Sequence, residues 1–271
     1  MAEVQRIAPL GHPVLLNLGC GHRRHPEWMN FDLAPAGPDV RQLNIHKGLP
    51  LGEQSADAIY HSHVLEHFSP AQAIHFLHEC FRVLKSGGIL RVVVPDLEQS
   101  ARDYIMALDR LRRGEGSMIE PRWLIVEMID QIARTRPGGQ FNVMVREFPE
   151  LDGFVIPRLG AFGPKLVDLL RDPDSIPERV TRKIRWIDKH LPPWLADVIC
   201  AAILRRRGEK HLWMYDEFSL TELLRGCGFV QICRVSPETS AIVGWKRYQL
   251  DAEPDGTPWK GVSLYLEARR P

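Results

Sequence analysis

Cysteine is scarce and poorly spaced for chemistry. The 271 residues hold five, Cys20, Cys80, Cys200, Cys227 and Cys233, and no two form a C-x-x-C pair. An odd, scattered set argues against a disulfide framework or a zinc knuckle, and leads to an expectation of reduced thiols in a cytoplasmic protein. Charge of one sign is missing too. There are 35 Lys+Arg against 34 Asp+Glu, a net charge of +1, which gives no electrostatic ground for a nucleic-acid partner. No apolar run can cross a bilayer. The longest, Trp194 to Leu204, is broken by Asp197 and falls short of the roughly 20 residues a spanning helix needs. No signal-peptide pattern, internal repeat or low-complexity segment is visible. What remains is an ordinary globular composition, 44% hydrophobic and 25% charged, in a chain long enough for one large α/β domain or a core with an insertion.

The apolar pattern alternates short strands with helices. Leu15–Leu18 is apolar except for Asn17, as in a central strand buried on both faces. Met29–Leu33 and Val40–Ile45 follow as strands two and three, and Asp57–His61 as strand four. Ser69 and Pro70 open a helix with Ile74, Leu77, Phe81 and Leu84 at helical spacing, and Gly87-Gly88 is the expected stop. Ile89–Val94 is strand five. Without hairpin signals, this alternation predicts a parallel doubly wound sheet. Beyond Glu98, Ala101, Tyr104, Ile105, Leu108 and Leu111 share one helical face, and Leu124, Ile125, Met128, Ile129 and Ile132 another. Residues 135–175 show no clear period. The expectation is a core over 1–113, a mostly helical insertion or cap over 114–210, and a returning core over 211–271. In that last part Ser219-Leu220-Thr221-Glu222 reads as a capping box. Phe229–Val235 and Val262–Ala268 read as strands, with a long connection at 236–261.

The organising stretch is Val14–Gly21 followed by Met29–Leu33. A buried strand runs into Gly19-Cys20-Gly21, and a second strand ends in Asp32. Glycines let a ligand approach the main chain, and a strand-end carboxylate can take two hydrogen bonds from a ribose diol. Each feature has a plainer explanation, a steric turn and an exposed turn aspartate; their succession favours a nucleoside-type cofactor. A dinucleotide would require G-x-G-x-x-G, but position 24 is Arg24, and Pro26 leaves little room for the helix that would face a diphosphate.

Six stretches then match one family in order: LNLGCG (16–21), NFDL (30–33), DAIYHSHVLEHF (57–68), HECFRVLKSGGILRVVVPDLE (78–98), WMYDEFSLTELLRGCGF (213–229) and SLYLEARRP (263–271). The chain resembles class I S-adenosylmethionine (SAM)-dependent methyltransferases of the bacterial type-11-like branch. The resemblance covers about 14–113 and 210–271. It implies a Rossmann-like seven-stranded sheet with the last strand antiparallel and SAM across the carboxyl ends of the first strands. Carried over by position, Gly19, Cys20 and Gly21 lie along the methionine part and Asp32 takes the ribose hydroxyls. Asn44 and Ile45 flank the adenine, and His61 and Ser62 close the site. Asn17 and Leu33 complete the cofactor set. Three departures stand out: Asn44 where the family usually has Asp, Ser86 where it has Pro, and a short interval between Gly21 and Asp32.

Methyl transfer chiefly needs alignment and exclusion of water, but a hydroxyl acceptor gains from a base, and neutral imidazole suits that near pH 7. His63 is the first candidate base and His61 the second; the plainer reading makes both packing or hydrogen-bonding residues around the cofactor. With His67 they form H-x-H-x3-H, near which His22 and His25 can fall. Strand alternation points His61 and His63 alike but leaves His67 in a turn, so no metal is expected. Asp96 sits near an acceptor or caps the next helix, and Tyr215 and Asp216 line the acceptor pocket or open a helix. The run 194–207, ending in Arg205-Arg206-Arg207, is a core helix with a basic end or a weak membrane-surface contact. The functional expectation is methyl transfer to a small molecule or glycan at oxygen. The alternative is a non-catalytic SAM-binding or scaffold subunit. The acceptor's identity and the oligomeric state are not encoded in any motif.

Overall fold

The computed structural model describes residues 13–172 and 177–271, so residues 1–12 of the expected core over 1–113 lie outside the described residues. Two compact units are present. The first holds the described residues up to Asp96, Met214–Trp259 and Ser263–Pro271; the second holds those of Leu97–Trp213 with Lys260–Val262.

The first unit is built on β1 (Leu15–Leu18), β2 (Met29–Asp32), β3 (Val40–Gln42), β4 (Ala56–Ser62), β5 (Leu84–Pro95), β6 (Val230–Arg234) and β7 (Ser263–Arg269). Their spatial order is β3-β2-β1-β4-β5-β7-β6. Strands β1 to β5 run parallel, and β7 runs antiparallel to both β5 and β6. This is the Rossmann-like arrangement, last strand antiparallel, that the resemblance implies. In β1 the pleat sends Leu16 and Leu18 into one apolar cluster and Leu15 into another on the opposite face.

On the first face lie α1 (Pro70–Val83) and, after the second unit, α9 (Glu217–Gly226). Pro70 opens α1 at a position that needs no N–H, and the Gln72 side chain accepts from both the backbone N–H and the hydroxyl of Ser69. The buried stripe of α1 is Ala73, Phe76, Leu77, Cys80 and Val83. Of the expected stripe, Leu77 is buried and Phe81 packs on the core, but Ile74 is 43% exposed and Ala73 is buried in its stead. The helix also stops at Val83, and Gly87-Gly88 lie inside β5. In α9 the expected cap at Ser219 is displaced. Asp216 is the N-cap, its Oδ1 accepting from Ser219 N–H at 2.9 Å, while Ser219 Oγ accepts from Asp216 N–H at 3.1 Å.

The opposite face has no helix between β1 and β2. Its cover is the long connection after β6, which includes α10 (Trp245–Tyr248). Ile242, Trp245, Tyr248 and Leu250 pack on Leu15, Trp28, Tyr60 and Tyr265. Beneath them Arg91 of β5 is fully buried. It ion-pairs with Asp251 at 2.7 Å and Glu267 at 2.8 Å, donates to the carbonyls of Ser236 and Thr239, and lies 4.2 Å from the Trp245 ring centroid. Tyr60 donates to the other oxygen of Asp251 at 2.6 Å.

The second unit contains α2 (Leu97–Arg112), α3 (Ile119–Ala133), α4 (Gly139–Glu147), α5 (Asp152–Leu159), α6 (Gly163–Arg171), α7 (Glu178–His190) and α8 (Pro193–Arg206). It begins at Leu97 rather than 114, because α2 packs with these helices. Two apolar clusters hold it, one around Trp123, Phe141 and Met144, the other between α7 and α8. Of the stretch 135–175, without a readable period, the described residues up to 172 hold α4, α5 and α6. These helices are eight or nine residues long, too short for a periodic stripe to register. The expected stripe on α3 is split: Leu124 is buried, whereas Ile125, Ile129 and Ile132 are exposed.

Candidate active site

The candidate residues gather at the carboxyl edge of the sheet, beside the switch where β1 lies between β2 and β4. Ligands of open α/β sheets bind at that place. Leu18 ends β1 opposite Phe31 of β2 and His61 of β4. Beyond it the chain turns at once. The Phe31 carbonyl accepts from both Gly19 N–H (2.8 Å) and Cys20 N–H (3.0 Å). Gly19 has φ +68°, and a Cβ there would stand 2.5 Å from Val64 Cγ2. Gly21 has φ +50° and open space where its Cβ would be.

Asp32 fixes this turn. Its Oδ2 accepts from Gly21 N–H and its Oδ1 from Ala34 N–H, each at 2.9 Å. Two of the four lone-pair positions of the carboxylate are thereby used, leaving capacity for a diol. The neighbouring Cys20 thiol is pushed up to about 12 by burial and by the charge of Asp32, so it is a neutral packing group. Asn44 caps a single 3-10 turn, Ile45–Lys47, by accepting from His46 N–H at 3.1 Å. Ile45 and Ser62 are half-buried and Leu33 is exposed. Asn17 has a structural occupation: its amide donates to Arg23 O and to Asn30 Oδ1, at 2.9 and 3.0 Å.

The two candidate histidines are not equivalent. His61 is sealed, its ring edge-on to Phe76 at 5.2 Å. Neither ring nitrogen has a hydrogen-bond partner, and burial lowers its pKa from 6.5 to about 4. Sealed from solvent, it offers an acceptor no approach in this structure. His63 lies one residue past β4 in the left-handed region, φ +54°, so strand alternation does not govern it. Its Nε2 is 3.0 Å from Ser263 Oγ and its Nδ1 is 3.4 Å from Oε1 of the buried Glu66. A carboxylate beside Nδ1 favours the proton there and leaves Nε2 as the basic nitrogen.

Three residues here are invisible as site members in the sequence. Glu66 and Ser263 lie within matching stretches but carry no spacing signal. Arg23 reaches Glu253 at 2.7 Å and stacks 4.0 Å from the Trp259 ring centroid, so the long connection clasps the glycine turn. Elsewhere, Asp96 is buried and paired with Arg234 at 2.9 Å, and Tyr215 is buried beside Glu66 with its pKa raised, mainly by burial.

Residues 16–92 match the family model described as a methyltransferase domain. Over that stretch, under a third of the chain, the protein is similar to a methyltransferase domain, and its sheet has the Rossmann-like order. The site suits SAM, a ligand without phosphates: main chain open at Gly21, a carboxylate with spare acceptor capacity at Asp32, and no helix N-terminus after the turn. Among solved structures, a SAM-dependent methyltransferase from Archaeoglobus fulgidus is similar at 11% identity and TM-score 0.39, covering 96% of this chain and 86% of that one. A possible histamine N-methyltransferase from Thermotoga maritima is similar at 13% identity and TM-score 0.39, covering 99% and 86%. Geranyl diphosphate C-methyltransferase from Streptomyces coelicolor is similar at 11% identity and TM-score 0.36, covering 96% and 73%. No curated protein matches the sequence.

Proposed function

We propose that the protein transfers a methyl group from SAM to a hydroxyl of a small molecule or glycan. The observation that carries this reading is the Gly19–Gly21 turn pinned by Asp32 at the switch point of the sheet, one residue-contact away, through Val64, from His63. SAM supplies a methyl group already activated on a sulfonium. Asp32 accepts the ribose hydroxyls, Gly19 and Gly21 give main-chain access to the methionine part, and Asn44, Ile45 and Leu33 border the adenine. His63, polarised by Glu66, takes the acceptor's proton on Nε2.

Calorimetry with S-adenosylhomocysteine tests the cofactor assignment. Asp32→Ala is expected to weaken binding at least tenfold, about 1.4 kcal/mol. Unchanged affinity, or no binding by folded wild-type protein, sinks the reading. Once an acceptor is in hand, His63→Ala should lower kcat by about 10²- to 10⁴-fold while leaving the S-adenosylhomocysteine affinity intact.

A further inference from the structure

The α7–α8 hairpin is amphipathic in an unusual sense. Its inner faces close on each other through Val180, Ile184 and Ile187 of α7 and Ala196 and Cys200 of α8. The outer face of α8 is nevertheless also apolar. Trp194, Val198 and Ala202 recur every four residues and are all exposed, the first two at 70% and 62%. The short Leu191-Pro192 link joins the C-terminal part of α7, where Trp186 is 58% exposed and stacked on His190, to the first turn of α8, which carries Trp194. A helix apolar on both faces needs cover. At 14 residues α8 is only about 21 Å long, too short to cross a bilayer.

Charge decides what covers it. The outer face of α7 exposes Arg179, Arg182, Lys183, Arg185 and Lys189, and α8 runs out into Arg205-Arg206-Arg207. Residues 178–207 thus carry eight cations against Glu178, Asp188 and Asp197, a net +5 within a chain of net +1. Of those three acids, Asp188 and Asp197 are turned to Arg136, at 2.5 and 2.9 Å. Two exposed indoles on a hairpin with a cationic helix face are the make-up of an element that lies in the headgroup layer. We propose that this hairpin docks the protein on an anionic bilayer surface, with Trp186 and Trp194 inserted and the α7 cations on the headgroups. The sequence hinted at contact through 194–207 only; the structure adds α7, whose cations and Trp186 share the exposed side.

The proposal is independent of methyl transfer and is tested without SAM or acceptor. The full chain is floated with phosphatidylcholine vesicles with and without 30% phosphatidylglycerol. Binding is expected only to the anionic vesicles, and to fall as salt rises. The double variant Trp186→Ser/Trp194→Ser, altered at exposed positions and checked by circular dichroism, should lose at least tenfold in partitioning. Arg182→Glu/Arg185→Glu should do the same. Equal binding to neutral vesicles, anionic binding indifferent to the tryptophan variant, or no vesicle binding by the folded chain overturns the proposal. In the last case the face belongs to a protein partner.

Discussion

A single histidine can be conspicuous in sequence for a reason its structure reverses. His61 lies in the stretch that best matches a known family, yet its ring is sealed in the core. Its lowered pKa has a thermodynamic consequence. Between about 6.5 and 4 the unfolded chain binds a proton that the folded chain refuses, so stability is present above 6.5 and drains away as pH falls toward 4. The span corresponds to about 3 kcal/mol. Urea titrations from pH 7 to 4.5 should show that difference between wild type and His61→Leu, the variant losing less stability on acidification; parallel curves would rule the account out. Gly19 is the converse case, a residue whose role the sequence does show. With φ +68° and Val64 at 2.5 Å from a would-be Cβ, Gly19→Ala should cost about 1–3 kcal/mol, measured by denaturant unfolding. Glycines and the strand-end Asp32 were legible because their chemistry is local. Ser263 and Arg23 were not, because their partners arrive from 200 or more residues away, which nothing in a one-dimensional pattern reports; Glu66 was not, because its three-residue spacing from His63 becomes a contact only through the turn after β4.

At the scale of elements, strands read well and helix faces poorly. The strands are short and nearly all apolar, so existence and order follow from composition. The face of α1 was misjudged at one position because Ile74 and Ala73 compete for the same register, and hydrophobicity alone prefers the larger. The missing helix after β1 was foreshadowed by Pro26, but its replacement was not. The connection from Ser236 to Trp259 looks like a loop and works as a covering layer, fastened by Arg91. Removing that cation leaves Asp251 and Glu267 buried without their partner, so Arg91→Leu should destabilise the fold by about 3–5 kcal/mol, far more than an exposed arginine variant such as Arg102→Leu. The comparison is made by chemical denaturation, with near-ultraviolet dichroism reporting the Trp245 environment. The cap of α9 offers a smaller check: Asp216→Ala should cost about 1 kcal/mol.

At the scale of the whole molecule, the chain leaves the core at Asp96 and returns at Met214. Asp96 and Tyr215 pair as an isolated parallel bridge, so the two cut ends are neighbours. Joining residue 96 to 214 through a short glycine linker should give a folded protein that binds S-adenosylhomocysteine but transfers no methyl group; circular dichroism and calorimetry decide the first two points and a radiolabel assay the third. Among the described residues, exposed large apolar side chains are concentrated in the helical part, twelve of seventeen. The sheet's own order bears on how it is made on the ribosome. Strand β7 is synthesised after every other strand, yet it lies inside the sheet, between β5 and β6. Until it emerges, β5 has an open edge and β6 has no neighbour at all. The nascent protein must therefore wait through some 170 residues of translation, from the end of β5 to the start of β7, with a sticky edge exposed, and chaperone demand during synthesis should fall only when that last strand is released.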